Sequence, residues 1–148
     1  MSGKFRVVLK NEGGKMKKKI LVIGDPIVGG ATFCGMMGYE LISESMPVSL
    51  FEFLRAANGH EAYDKLLETP QGELPDLVVV DYGPPGLSGL ELLKFIRTQP
   101  TLEKLFVVMI ANQPTSRLQI SAKLLNCECF KPADIRLLCQ LLMERWKS

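Results

Sequence analysis

The chain has 148 residues, 47% hydrophobic and 23% charged, which is enough for one globular domain with its own core and excludes a disordered chain. A net charge of +2 is too small to make a nucleic-acid surface by itself. No apolar stretch approaches the ~20 residues that span a bilayer, and the first residues lack a signal-peptide core, so the expectation is a cytoplasmic protein with reduced thiols and no membrane partner.

Residues 1–16 read as an N-terminal extension. Phe5–Leu9 could be a short strand, but Asn11-Glu12-Gly13-Gly14 breaks it. The compact domain is expected over residues 17–148. Lys15, Lys17, Lys18 and Lys19 read as a solvated lead-in to the first strand. Ile20–Ile23 is that strand, buried, and it ends near Asp25. Pro26 then opens a helical stretch in which Phe33, Met37 and Leu41 share a face. Its glycines (Gly29, Gly30, Gly35, Gly38) each cost up to about 1 kcal/mol against alanine, so close packing or close backbone approach is expected to offset them.

Leu50–Leu54 reads as the second strand, Asn58-Gly59 as a turn and Glu61–Leu67 as a short helix. Leu77–Val80 is the third strand. Ser88-Gly89-Leu90-Glu91 is a capping box opening a helix with Leu92, Phe95 and Ile96 toward the sheet. Phe106–Ile110 is the fourth strand, and Leu118, Ala122 and Leu125 mark the next helix. Cys127–Phe130 is a short fifth strand. Ile135, Leu138, Cys139, Leu142 and Trp146 form one stripe of the last helix. Five strands alternating with five helices imply a parallel sheet covered on both faces.

The most informative segment is Pro75–Asp81, an apolar run that ends in one aspartate and passes at once into Tyr82-Gly83-Pro84-Pro85-Gly86. A buried parallel strand reads as such a run, and ligands of open α/β sheets bind outside the carboxyl ends of the strands. In a doubly wound sheet the ends of strands one and three flank the crevice, which would bring Asp25 and Asp81 together. Two close carboxylates repel unless a cation or proton intervenes; Mg²⁺ suits such oxygen ligands. A lysine at the end of strand five, Lys131, would set a point charge against phosphate oxygens. The combination points to phosphoryl chemistry with an aspartate as acceptor.

Cys127 and Cys129 alternate on one strand face and could hold a metal, although buried cysteine is more commonly a small core residue. His60, the only histidine, follows the Asn58-Gly59 turn and has no partner for a triad or a zinc site.

From Ile20–Asp25, Asn58-Gly59-His60-Glu61-Ala62, Pro75–Gly89 and Phe130-Lys131-Pro132, the chain resembles the receiver domain of bacterial two-component response regulators over about residues 17–148. The most specific stretch is Asp81 through Gly89, with Pro85 four residues after the aspartate and Gly89 eight after it. The resemblance implies a flavodoxin-like, doubly wound three-layer sandwich with strand order 2-1-3-4-5. It implies Asp81 as phosphoacceptor, Mg²⁺ held by Asp25, Asp81 and the main-chain carbonyl of Gly83, and Lys131 bonding the phosphoryl group. It also implies a cis Lys131–Pro132 peptide. The partners would be a histidine kinase or phosphotransfer protein, and an output protein or second copy docked on the fourth helix, fifth strand and fifth helix, with Leu137, Leu141 and Arg145 outward. No direct nucleic-acid contact is implied, and no enzymatic activity beyond autocatalytic phosphotransfer and autodephosphorylation.

Three departures stand against that pattern. Gly24 occupies the place of the first of two adjacent acids, so Mg²⁺ should bind weakly. Ala111 replaces a hydroxyl residue at the end of the fourth strand. Glu128 replaces the aromatic residue three before the lysine. The segment from Asp25 to Asn58 is also long for the family. An alternative follows: a pseudo-receiver that binds partners without phosphorylation. A small phosphohydrolase is disfavoured because Gly83 stands where a second acid belongs, and a nucleotide-binding fold because no Gly-rich phosphate loop is present.

Overall fold

The computed structural model describes residues 17–24, 27–28, 31–82 and 89–146. The proposed extension 1–16 lies outside the described residues. Strand β1 spans Lys18–Ile23, β2 Ile27–Val28, β3 Ala31–Thr32, β4 Phe51–Ala56, β5 Leu77–Asp81, β6 Val107–Ile110 and β7 Glu128–Phe130. The helices are α1 Phe33–Ser43, α2 Gly59–Glu68, α3 Gly89–Thr98, α4 Ser116–Leu124 and α5 Ile135–Trp146.

The main sheet is all parallel in the order β4-β1-β5-β6-β7, which is 2-1-3-4-5 among its own strands. The expected doubly wound fold is therefore present. Its cause is legible strand by strand. β1, β5 and β6 are fully or almost fully buried along their lengths, as strands covered on both faces must be. One layer of core joins Leu21, Val78, Val80 and Met109 to Leu66, Leu92 and Leu118. The other joins Ile20, Val22, Val79 and Ile110 to Phe33, Met37, Leu138 and Leu142. Among the described residues, no helix is long and apolar enough to cross a membrane.

Four expectations need correction. The helix expected from Pro26 begins at Phe33; before it stands a small antiparallel pair, β2 with β3, in the register Ile27↔Thr32 and Val28↔Ala31. Thr32 sets the helix start, its Oγ1 accepting from the Gly35 N–H at 3.1 Å. A Cβ on Gly35 would lie 3.2 Å from that hydroxyl, so one of the costly glycines leaves the capping oxygen room. The lysine lead-in is not wholly solvated. Lys19 is only 4% exposed, its Nζ donating to the Glu73 carbonyl at 2.8 Å, while its main chain exchanges bonds with Asp76. Lys18 lies over the Trp146 ring. The reason is that both residues already belong to β1, which the loop before β5 flanks.

Phe95 does not face the sheet: it is exposed and rests on Tyr63 of α2. The residues that do face the core from α3 are the adjacent Leu92 and Leu93, with Ile96 one turn on. Finally, there is no cis peptide among the described residues, so Lys131–Pro132 is trans. Lys131 is extended and Pro132 opens a short 3-10 turn, Pro132–Asp134; that is the place where a fixed φ and a missing N–H cost nothing.

Candidate functional site

Strand register assembles the carboxyl end of the sheet. Asp81 pairs with Ile110 of β6, and Ile110 pairs with Phe130 of β7. On the other side Ile23 pairs with Val80, so Gly24 adjoins Asp81. Main-chain bonds carry the alignment one residue past the strands: Tyr82 N–H to Ile110 O at 2.9 Å, Ala111 N–H to Phe130 O at 3.0 Å, and Gly24 N–H to Ala56 O at 3.0 Å. Gly24, Asp81, Ala111 and Lys131 thus lie along one edge of the sheet. With neighbouring strands about 4.8 Å apart, the backbones of Asp81 and Phe130 are roughly 10 Å apart, and the long side chain of Lys131 starts one residue beyond Phe130.

Asp81 is half-buried and already interacts with its surroundings. It closes β5 where the apolar run ends, because a carboxylate one step deeper would lose its solvation among Val78, Val79 and Val80. Lys131 is exposed. Its position is set by Phe130, buried in the core before it, and by the turn after it, in which its carbonyl accepts from Asp134 N–H at 2.9 Å. Asp25 and Gly83, the other expected ligands, lie outside the described residues, as does Ser88 of the capping box.

Gly24 has φ 84°, in the left-handed region that side chains rarely adopt. The missing acid is therefore also a backbone feature: the chain leaves β1 by a turn that suits glycine. Ala111 is buried in the core and carries no side-chain donor. Glu128 is exposed at the start of β7. Gly24 and Ala111 thus lie at the carboxyl edge, whereas Glu128 sits at the other end of β7, paired with Val108.

Gly89 holds the site from below. A Cβ there would lie 2.8 Å from Val80 Cγ1, 3.3 Å from Tyr82 Cα and 3.4 Å from the Asp81 carbonyl oxygen. Only a glycine lets the start of α3 come this close to the end of β5. The eight-residue spacing from Asp81 marked Gly89, but not the reason for it.

Among the described residues, no three His, Cys, Asp or Glu side chains converge to hold a metal. Asp81 itself is a hard oxygen ligand of the kind Mg²⁺ takes, and Asp25 and a main-chain carbonyl would be of the same kind. The C-x-C alternative is disfavoured. Burial pushes the Cys127 thiol up to about 12, with Cys129 adding to the effect, and burial raises the Cys129 thiol as well; a metal takes the thiolate. His60 is exposed, as expected.

Two features escaped the sequence reading. The β2–β3 pair had a signal in Gly29-Gly30 between Ile27-Val28 and Ala31-Thr32, a hairpin composition. Arg97 in the last turn of α3 had none beyond its place at a helix end. Its Nε donates to Leu125 O at 2.7 Å, Nη1 to Glu103 O at 2.8 Å and Leu105 O at 2.7 Å, and Nη2 to Asn126 O at 3.2 Å.

Several solved structures are similar to the chain. The signal receiver domain of a DNA-binding response regulator (merR) from Colwellia psychrerythraea 34H superposes with a TM-score of 0.65 at 20% identity, covering 87% of this chain and 98% of that one. The phosphorylated cyanobacterial phytochrome response regulator RcpA gives 0.63 at 21%, covering 88% and 94%. The Mn²⁺-bound response regulator Rcp1 gives 0.64 at 21%, covering 87% and 94%. In sequence, the phosphate regulon transcriptional regulatory protein PhoB of Rhizobium meliloti (strain 1021) is 35% identical over 75 residues, 51% of this chain and 29% of that protein. The chain thus aligns with less than a third of that relative's length. No protein-family model matches the chain. The structural likeness shows the CheY-like receiver fold.

Proposed function

We propose that this chain, which has the fold of response regulator receiver domains, accepts a phosphoryl group on Asp81 and signals through a partner-binding face. The observation that carries the reading is the position of Asp81: a half-buried carboxylate closing the central strand, in register with the strand that leads to Lys131. In the transfer, an Asp81 carboxylate oxygen attacks the phosphorus of a partner's phosphohistidine. The P–N bond breaks, the P–O bond forms, and the leaving imidazole nitrogen takes up a proton. Lys131 would pair with the phosphoryl oxygens through a charge-assisted bond. Mg²⁺, held by Asp81 with Asp25 and the Gly83 carbonyl, would supply neutralisation of phosphoryl charge. Gly24 contributes no ligand to it, so binding would be weak. With Ala111 and Glu128 in place, a hydroxyl-to-aromatic switch cannot run. Output would come from electrostatic change around Asp81 itself, passed to a partner or second copy on the face of α4, β7 and α5, where Leu137 and Leu141 are exposed.

A second reading, a pseudo-receiver that binds without phosphorylation, draws support from Gly24 and the buried Ala111. One experiment separates the two. Incubation with Mg²⁺ and a small phosphodonor should add one acid-stable, base-labile phosphate, lost in Asp81→Asn and suppressed by chelation. No mass gain with any donor would leave the pseudo-receiver.

A further inference from the structure

The far end of the same sheet carries a second cluster of charge. At the amino-terminal ends of β6 and β7, beside the edge strand β7, a groove of about 370 Å³ is bordered by Arg97, Lys104, Lys123 and Arg145 against one acid, Glu128. Separate elements bring them together: Lys104 follows α3, Lys123 lies in the last turn of α4 and Arg145 in the last turn of α5. Val107, at the start of β6, lies three residues before the Ile110 that pairs with Asp81. On β6 the groove therefore begins roughly 10 Å down the strand from the carboxyl edge; on β7 it runs from Glu128 to Phe130, along the same α4, β7 and α5 face, and neither Asp81, Ala111 nor Lys131 lines it.

None of the four cations has a carboxylate partner among the described residues. Arg97 spends its donors on the carbonyls of Glu103, Leu105, Leu125 and Asn126. Arg145 lies over the Phe106 ring, 3.9 Å from its centre. The ammonium groups of Lys104 and Lys123 have no partner among the described residues. Four like charges around one groove repel, and the fold holds one of them, Arg97, fixed and partly desolvated. Glu128 offsets one charge and leaves an excess of three. A single carboxylate would leave most of that excess uncompensated, whereas a diphosphate would meet it. Lysine point charges and an arginine fork both suit phosphate oxygens. The volume falls within the range of small-molecule sites, about 300–1,000 Å³, and Leu138 and Leu141 supply an apolar wall.

We propose that this groove binds a small molecule bearing a diphosphate group, its phosphates among Lys104, Lys123 and Arg145 and any apolar portion against Leu138 and Leu141.

The test is a thermal-shift titration with inorganic pyrophosphate, with ionic strength held constant by chloride, beside arms with ADP and with adenosine. Saturable stabilisation by pyrophosphate is expected. Lys104→Glu/Lys123→Glu should weaken it by about tenfold or more. ADP acting more strongly than pyrophosphate would identify a nucleotide as the natural source of the group, and equal effects would identify the diphosphate alone; adenosine should do nothing. Without any ligand, the milder Lys123→Gln should raise the melting temperature, because repulsion is relieved. That result would not follow from a purely structural lysine, and it keeps the test open if the double variant fails to fold. A shift that follows ionic strength alone, one that Lys123→Gln leaves untouched, or one that disappears in Lys131→Ala and so reports the carboxyl end, would overturn the proposal.

Discussion

Gly89 packs on Val80 so closely that a Cβ at that position would lie 2.8 Å from Val80 Cγ1. The first residue of α3 is thereby pressed against the strand that ends in Asp81. Gly89→Ala must push one of them away, and overpacking of this kind costs about 1–3 kcal/mol. The expected result is a lower denaturant midpoint with an unchanged slope and, on the proposed phosphoacceptor role of Asp81, slower phosphorylation. A variant as stable as the parent would show that α3 has room to move.

Gly24 bears on both stability and metal affinity. With φ at 84°, Gly24→Ala and Gly24→Asp should each destabilise by about 1–2 kcal/mol, the cost of a side chain in the left-handed region. Only the aspartate should also tighten Mg²⁺ binding, by restoring a negative charge beside Asp81. Titration of Mg²⁺ against both variants separates backbone from charge. Unchanged affinity in Gly24→Asp would refute the electrostatic account of this departure, and an alanine variant without loss of stability would refute the backbone account.

Arg97 joins the loop after α3 to the loop after α4 by donating to four carbonyls. Arg97→Ala leaves those oxygens without their donor and should cost about 2–4 kcal/mol. Arg97→Lys keeps the charge but lacks the planar fork, so it should recover only part of the loss. Equal stability of the lysine variant and the parent would mean that charge, not geometry, is what the loops require.

The buried thiols predict an alkaline limit. Burial, with Glu40 and Glu44 contributing, raises the Cys139 thiol from 9.0 to about 12, and the Cys127 thiol is likewise raised to about 12. Below about pH 9 both folded and unfolded chains hold these protons, and stability does not change on their account. Above it the unfolded chain loses them first, so stability falls as pH rises toward the folded value. The stability advantage of the parent over Cys139→Ala should therefore shrink as pH rises from about 9 toward about 12. A constant gap would show that the thiol titrates alike in both states. Native alkylation at about pH 8 should spare Cys127 and Cys139 for the same reason.

The fold was legible in the chain because its cause is local. Ile20–Ile23, Leu77–Val80 and Val107–Ile110 are apolar runs of strand length, and such runs are stable only when covered on both faces, which demands intervening helices and a parallel sheet. The carboxylate ending β5 and the lysine just after β7 were legible for the same reason, since strand ends can be counted along a sequence. Other features depended on neighbours distant in the chain. Lys19 looked like one more solvated lysine until the carbonyl of Glu73, 54 residues away, received its ammonium group. Phe95 shared a helical stripe with Leu92 and Ile96, yet Leu93 is the third residue of α3 buried with them, and Phe95 is left exposed against Tyr63. The onset of α1 shifted from Pro26 to Phe33 because β2 and β3 pair with each other, a choice that period alone does not encode. The left-handed turn at Gly24 and the contact between Gly89 and Val80 are properties of backbone placed against backbone. Composition can signal that a glycine is tolerated at such a point, but only the assembled layers determine that nothing larger fits.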